Sequence, residues 1–337
     1  MNVLVLGGTV FLGRALVASL NERGHAVTTF TRGVHSFDDV PAANRILGDR
    51  DGDLSLLPAD GWDAVIDTSG YRPAIVRKSC DHLRGANCYA FVSTISVYDE
   101  TQLELREDSP LKALSADVDE TSPEAYGPLK AQCEQVVQET FGARGLVVRP
   151  GLIVGPHDPT DRFTYWPERA DRGGVILAPS PPQRCVQFID VRDVADFLVR
   201  AIERGTRGPF NVTGRPRATT MSNVVDACRR SARHDSEVVW VDEEFLVLHG
   251  VGPWVELPLW IPSSAGLPGF TNASVASALS HGLAFRALDV TVRDTLEWAR
   301  RRDPDEVRKA GLSAERESTL LEAWRSAHSD RAPSSAG

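Results

Sequence analysis

Val3-Leu4-Val5-Leu6-Gly7-Gly8-Thr9-Val10-Phe11-Leu12-Gly13-Arg14 is the stretch whose reading decides the fold. Its first four residues are all Val or Leu, a run that reads as a strand covered on both faces, as strands of parallel sheets are. Glycines follow at once. Phe11, Ala15, Leu16, Val17 and Leu20 then recur at helical spacing up to Arg23, and Gly24 supplies a C-terminal stop. Strand, glycine-rich turn and helix in that order let the backbone approach a pyrophosphate. Its charge would meet the unpaired N–H groups of the helix N-terminus. An ordinary tight turn can carry the same glycines. Their place between a first strand and its helix is what favours a dinucleotide site.

The remaining composition bounds the class. A chain of 337 residues suggests one large or two coupled domains. Its 37 basic and 46 acidic residues leave a net charge of −9, which argues against a general nucleic-acid binder. No apolar run reaches the roughly 18 residues of a membrane span. The first strand begins at residue 2, so no secretory signal is expected. Cys80, Cys88, Cys133, Cys185 and Cys228 form no C-x-x-C pair, and they read as reduced thiols of a cytoplasmic protein. No residue pattern specifies a metal.

Alternating strands and helices follow the opening unit. Residues 25–33 read as the second strand, ending in Thr31 and Arg32 where an Asp or Glu would bind the free ribose hydroxyls of NAD. Arg32 suits a bidentate contact to a 2′-phosphate, so NADP(H) is favoured, with NAD(H) the alternative. Residues 45–50 read as a third strand, with Asp49 placed to meet an adenine amino group. Residues 63–70 read as a fourth, running into a small-residue loop with Thr68 and Ser69 near the cofactor. Pro73 opens a helix over residues 73–84. Residues 90–98 read as a fifth strand, with Thr94 and Ser96 where it ends, the location at which ligands gather in open parallel sheets. An acidic loop over 99–120 precedes a helix expected to start or bend near Tyr126, because Pro128 removes a backbone donor. Residues 146–150 form a sixth strand.

Beyond Gly155 the alternation weakens and the chain reads as a substrate-facing half. His157, Arg162 and Trp166 fall in a segment rich in Pro, Arg and aromatic residues, and Trp254 in an apolar run over 245–262 that is either a lid or the core of a smaller domain. His157 and His249 read equally as loop or structural histidines. The expected organisation is a Rossmann α/β domain over 1–154 plus about 185–215, and a smaller α/β substrate domain over about 155–184 and 216–302. Residues 303–337 would form a C-terminal helix and a tail of disordered composition.

Tyr126 and Lys130 stand four apart, on one helix face. A tyrosine titrates near pH 10, too high for useful proton exchange at neutrality. A lysine about 4 Å away favours the phenolate by roughly 4 kcal/mol at an effective dielectric near 20, so it is expected to lower that pKa until desolvation opposes it.

Together these motifs resemble the extended short-chain dehydrogenase/reductase family, often labelled NAD-dependent epimerase/dehydratase. The resemblance rests on Gly7 to Gly13, Ser93 to Tyr98, Tyr126 to Lys130, Arg149-Pro150 with Val154-Gly155-Pro156, and Phe188 to Asp193, and it covers roughly residues 1–300. It implies a doubly wound Rossmann fold. It also implies that Tyr126 is the general acid/base, that Lys130 binds the nicotinamide ribose, and that Thr94 holds the reacting oxygen, with Ser96 second. Gly7, Thr9, Val10, Phe11, Leu12 and Gly13 would line the pyrophosphate, Asp49 would face adenine, and Pro150 to Ile153 would pass the nicotinamide. Val10 replaces the family's middle glycine, in the manner of a Gly-Gly-Thr-x-Phe-Leu-Gly subgroup that includes bacterial reductases and chloroplast stem-loop-binding proteins. Leu152 stands where nucleotide-sugar members usually carry Asn. The reading that results is an NADP(H)-dependent oxidoreductase acting on a small carbonyl or alcohol substrate. A nucleotide-sugar epimerase or dehydratase is the alternative, and a cofactor- or RNA-binding protein without catalysis is the third. Dimers are common in the family, so a homodimer is left open.

Overall fold

The computed structural model describes residues 1–35 and 44–329, and the chain divides into two compact units. The first contains residues 1–153, 187–216 and 267–286, and the second 154–186, 217–266 and 287–337.

In the first unit, β1 (Asn2–Leu6), β2 (Ala26–Thr31), β3 (Asn44–Leu47), β4 (Ala64–Asp67), β5 (Tyr89–Val92) and β6 (Gly145–Pro150) join the strand Gly208–Val212 in one seven-stranded sheet. Its order from one edge is Gly208–Val212, β6, β5, β4, β1, β2, β3, and every pair is parallel. The order reverses direction at β1, as in a doubly wound Rossmann sheet, and places a crevice at the C-terminal ends of β1 and β4. Alternation along β1 feeds two cores. Val3 and Val5 pack with α1 (Leu12–Glu22) and the helix Val191–Glu203, whereas Leu4 and Leu6 pack with α2 (Pro73–His82) and α3 (Tyr126–Phe141). All four side chains are at most 1% exposed, and burying each contributes about 1.5–3 kcal/mol.

Two expectations are corrected here. The fifth strand stops at Val92 instead of continuing to Tyr98. Thr94 accepts the Ser96 N–H at 3.1 Å through its hydroxyl and opens a 3₁₀ turn over Ile95–Val97, a local bond that competes with the sheet despite the β-branched composition. As expected, α3 begins at Tyr126, with Pro128 in its first turn, where the missing N–H has no helical partner to lose. Finally, residues 267–286 belong to the first unit and not with the smaller domain. Ser274 donates to the Leu105 carbonyl at 2.8 Å, Gln187 binds the Ala273 backbone, and Val275, Ala278 and Leu283 enter the core of α1.

The second unit pairs Gly174–Pro179 with Ser236–Val241 in parallel and Cys185–Val186 with Thr219–Thr220 antiparallel. The helices Tyr165–Asp171, Met221–Ser231 and Leu288–Ala299 pack on one another. A capping box between Thr220 and Asn223 starts the second of these. The run 245–262 contributes Leu246, Val251, Leu257, Leu259 and Trp260 to the core, whereas Val247, Leu248 and Val255 are exposed. Ala314–Ser329 forms the expected C-terminal helix. It is tied in by Glu317, which pairs with the buried Arg169 at 2.6 Å. The tail expected to be disordered lies, from residue 330 on, outside the described residues.

Candidate active site

The glycine-rich turn is built by close approach. Gly7 and Gly8 take φ of 110° and 105°, a region that side chains avoid. A Cβ on Gly7 would lie 2.4 Å from the Thr68 hydroxyl, and one on Gly13 would lie 2.6 Å from the Gly8 backbone. Val10 does not adopt positive φ and its side chain is 40% exposed, so the departure from glycine strains nothing. Phe11 instead takes the left-handed conformation, with φ of 39°, and packs partly buried against the core. No side chain caps α1 and no acid stands in its first turn to repel an anion, while the Gly13 N–H is taken by the Val10 carbonyl at 2.9 Å. This turn fits a dinucleotide pyrophosphate, with Thr9, Phe11, Leu12 and Gly13 around the helix start.

Thr68 and Ser69 flank the turn, each hydroxyl donating to the Leu6 carbonyl, at 3.0 and 3.2 Å. Beneath them lies a charged cluster that the sequence reading passed over. Arg50 donates to both oxygens of Asp67 at 2.7 Å, the Tyr89 hydroxyl donates to the same carboxylate at 2.9 Å, and the Ser69 N–H does so at 3.0 Å. Burial opposes ionisation of Asp67, but the charge and hydrogen bonds of Arg50 outweigh it and hold the carboxyl below its usual pKa. The signal was present in Ala64-Val65-Ile66-Asp67: a charge closing an apolar strand needs a partner. Asp49 is exposed and accepts the Asp51 N–H at 3.0 Å, and Arg32 is exposed at the end of β2.

Thr94, Tyr126 and Lys130 come together beyond β5. The hydroxyl end of Tyr126 is crowded although the residue is 41% exposed. Burial, followed by the neighbouring Tyr71, pushes its pKa up to about 12, and the Thr94 hydroxyl beside it opposes them. The expected lowering by Lys130 is therefore corrected. The Lys130 side chain is buried and its ammonium donates to the Gly70 carbonyl at 2.7 Å and the Val92 carbonyl at 2.6 Å. It lies 4.2 Å from the centre of the Phe91 ring and 5.3 Å from that of Tyr71. Burial lowers its own pKa to about 8, against the pull of Asp67.

Tyr71 was also missed. Its ring centre is 6.4 Å from that of Tyr126, and its signal was position, one residue past the loop that ends β4. Ser96 is half-buried on the 3₁₀ turn, and its carbonyl lies against Gly127 of α3. Pro150 is buried at the end of β6, and Ile153 packs against the α1 core.

The second unit holds the other candidates. Trp166 is 2% exposed and donates its indole N–H to the Pro258 carbonyl at 3.1 Å, which makes it part of that unit's core. His157 is exposed and its ring centre lies 5.4 Å from that of Trp298. The Arg162 guanidinium lies 5.6 Å from the Trp254 ring centre. Among the described residues, no group of three or more His, Cys, Asp or Glu could hold a metal ion, and no helix is long and apolar enough to cross a membrane.

A seven-stranded parallel sheet with a glycine turn after β1 and a Tyr-x-x-x-Lys helix defines a Rossmann-type α/β protein. Residues 74–213 match the family model described as the NAD dependent epimerase/dehydratase family. Over those residues the chain is similar to that family. It is 31% identical over 216 residues to a 2-alkyl-3-oxoalkanoate reductase of Stenotrophomonas maltophilia, covering 59% of this chain and 64% of that protein. It is 25% identical over 254 residues to the chloroplast stem-loop binding protein of 41 kDa b of Arabidopsis thaliana, covering 68% of this chain and 62% of that protein. In both cases the match spans just under two thirds of the relative's length. The fold is shared with human epimerase family protein SDR39U1, solved with NADPH. There the TM-score is 0.58 at 20% identity, covering 88% of this chain and 99% of that one.

Proposed function

We propose that this protein is an NADP(H)-dependent oxidoreductase that reduces, or in reverse oxidises, a small carbonyl or alcohol compound. The observation that carries the reading is the assembly of Thr94, Tyr126 and Lys130 at the C-terminal side of a Rossmann sheet whose first helix has an uncapped, glycine-fronted N-terminus.

When bound, the dinucleotide supplies or accepts the hydride. Tyr126 holds the proton: with its pKa near 12 the phenol is the donor at neutral pH, which suits reduction of a carbonyl to an alcohol. Thr94, beside the phenol, orients the substrate oxygen. Lys130, already aimed by two carbonyls, turns its remaining donor capacity toward a ribose and brings positive charge near the phenol as the phenolate forms. Gly7 and Thr9 to Gly13 hold the pyrophosphate. Thr68, Ser69, Asp49, Pro150 and Ile153 are assigned to the remaining cofactor contacts.

Arg32 supports NADP(H): it is exposed at the end of β2, where Thr31-Arg32-Gly33 stands in place of the acid that would bind free ribose hydroxyls. Leu152 in place of the asparagine of nucleotide-sugar members supports a substrate other than a sugar nucleotide. The 31% identical reductase makes 3-oxo acids the first carbonyl panel to try.

The test is Tyr126→Phe, assayed by NADPH oxidation over that panel and by dinucleotide titration. Turnover is expected to fall by about 100-fold or more, the scale of general acid catalysis, with NADPH affinity retained. A variant with full turnover would remove Tyr126 from the chemistry.

A further inference from the structure

The second unit presents an arginine that, among the described residues, forms no ion pair with a carboxylate. Its other poorly exposed arginines each hold a carboxylate: Arg169 with Glu317, Arg184 with Glu243, Arg302 with Asp161, and Arg308 with Glu168. Arg162 is half-buried and, among the described residues, pairs with no carboxylate. Its guanidinium meets only the face of Trp254, at 5.6 Å. A ring face attracts the charge but accepts none of the five N–H donors, which form a planar fork matched to carboxylate and phosphate. Burial lowers the pKa of Arg162, and the charge of Asp158 raises it. Asp158 is itself 1% exposed. One of its oxygens takes the Thr160 N–H and hydroxyl, at 2.8 and 2.7 Å, and the other has no partner.

The backbone around this pair is strained and braced. Of the six non-glycine residues with positive φ, four flank it: His157 at 70°, Asp161 at 60°, Trp254 at 67° and Leu259 at 65°. Such conformations persist only where surroundings enforce them, and they concentrate at ligand-binding segments. Asp161 is fixed by Arg302 and by the Lys309 N–H at 2.9 Å, and Lys309 also binds the Pro159 carbonyl at 2.9 Å. On the other segment, the Trp254 N–H donates to the Trp260 carbonyl at 3.0 Å, and Glu256 receives the Gly252 N–H at 2.8 Å and Arg316 at 3.1 Å. Two fixed loops thus hold one unpaired guanidinium against one aromatic face.

We infer that Arg162, backed by Trp254, is a recognition site within the second unit for an anionic oxygen group, a carboxylate or a phosphate.

Calorimetric titration of the full chain tests it without turnover. The probes are 3-oxooctanoate, its methyl ester and uridine monophosphate, applied to wild type, R162Q and R162K. Wild type is expected to bind at least one anion and to bind the ester at least about tenfold more weakly, the difference a lost charge-assisted bond makes. R162Q should lose about tenfold for the anion and nothing for the ester, and R162K should recover part of that loss. Binding of uridine monophosphate through Arg162, with no binding of the oxo acid, would keep the anion site and assign it to phosphate. R162Q binding either anion as wild type does, or wild type binding neither, would overturn the anion site. If R162Q does not fold, undiminished anion binding by R162K, which keeps the charge without the fork, would do the same.

Discussion

Replacing Lys130 by Met gives a pH signature that the structure sets in both sign and size. The buried ammonium titrates near pH 8 in the folded chain, against about 10.4 in an unfolded one. Between these values the unfolded chain binds more protons than the folded one, so stability rises with pH across the window. Integrating the two titrations from pH 7 to pH 10 gives roughly 2.5 kcal/mol of added stability that depends on this side chain alone. Lys130→Met also leaves the Gly70 and Val92 carbonyls unpaired, at about 1–3 kcal/mol each. That loss does not titrate and shifts the whole curve without changing its slope. Other buried phenols and thiols titrate in both proteins and cancel in the comparison. The assay is urea unfolding of both at pH 7, 8, 9 and 10. The wild type should gain roughly 2.5 kcal/mol on the variant over that range. Parallel curves would refute the burial of a displaced lysine and, with it, the account of how Lys130 is held before cofactor binds.

Two further substitutions probe the frame around the site. Asp67→Asn removes the charge that answers the largely buried Arg50, and breaking a buried pair costs about 3–5 kcal/mol. Urea unfolding at pH 7 measures it, and a loss below about 1 kcal/mol would mean that Arg50 finds another partner. Gly127→Ala would set a Cβ 2.1 Å from the Ser96 carbonyl oxygen, prising the start of α3 from the Thr94 turn. A displacement of about 1 Å between catalytic groups can cost about 100-fold in turnover. Steady-state kinetics with dinucleotide titration should therefore show lost turnover and retained binding, and undiminished turnover would contradict the packing.

The Rossmann frame was legible because its signals are local. Val3 to Leu6 is apolar without interruption, and the glycines and helical spacing that follow admit few alternatives. The start of α3 at Tyr126 was legible for the same reason, from the proline two residues on. What sequence concealed was direction and long-range pairing. Helical spacing places Lys130 and Tyr126 on one face, yet the ammonium is held by the Gly70 carbonyl after β4 and the Val92 carbonyl at the end of β5. Tyr71 joins the site from the loop after β4, and the partner of Asp67 lies 17 residues upstream. The end of β5 was misjudged because Ser93-Thr94-Ile95 has strand composition, and a single hydroxyl bond decides the turn. Residues 267–286 were assigned to the wrong unit because strand-edge contacts to Leu105 leave no periodic trace.

The most direct test of the central claim is a nucleotide titration on freshly purified protein. Bound nucleotide is identified first, and NADPH and NADH are then titrated separately into wild type and Arg32→Asp. The account predicts weakly held, exchangeable NADPH, bound at least about tenfold more tightly than NADH, with the preference lost in Arg32→Asp. Firmly retained NAD that neither exchanges nor yields to NADPH would contradict it and would point to an epimerase that recycles its cofactor within each turnover.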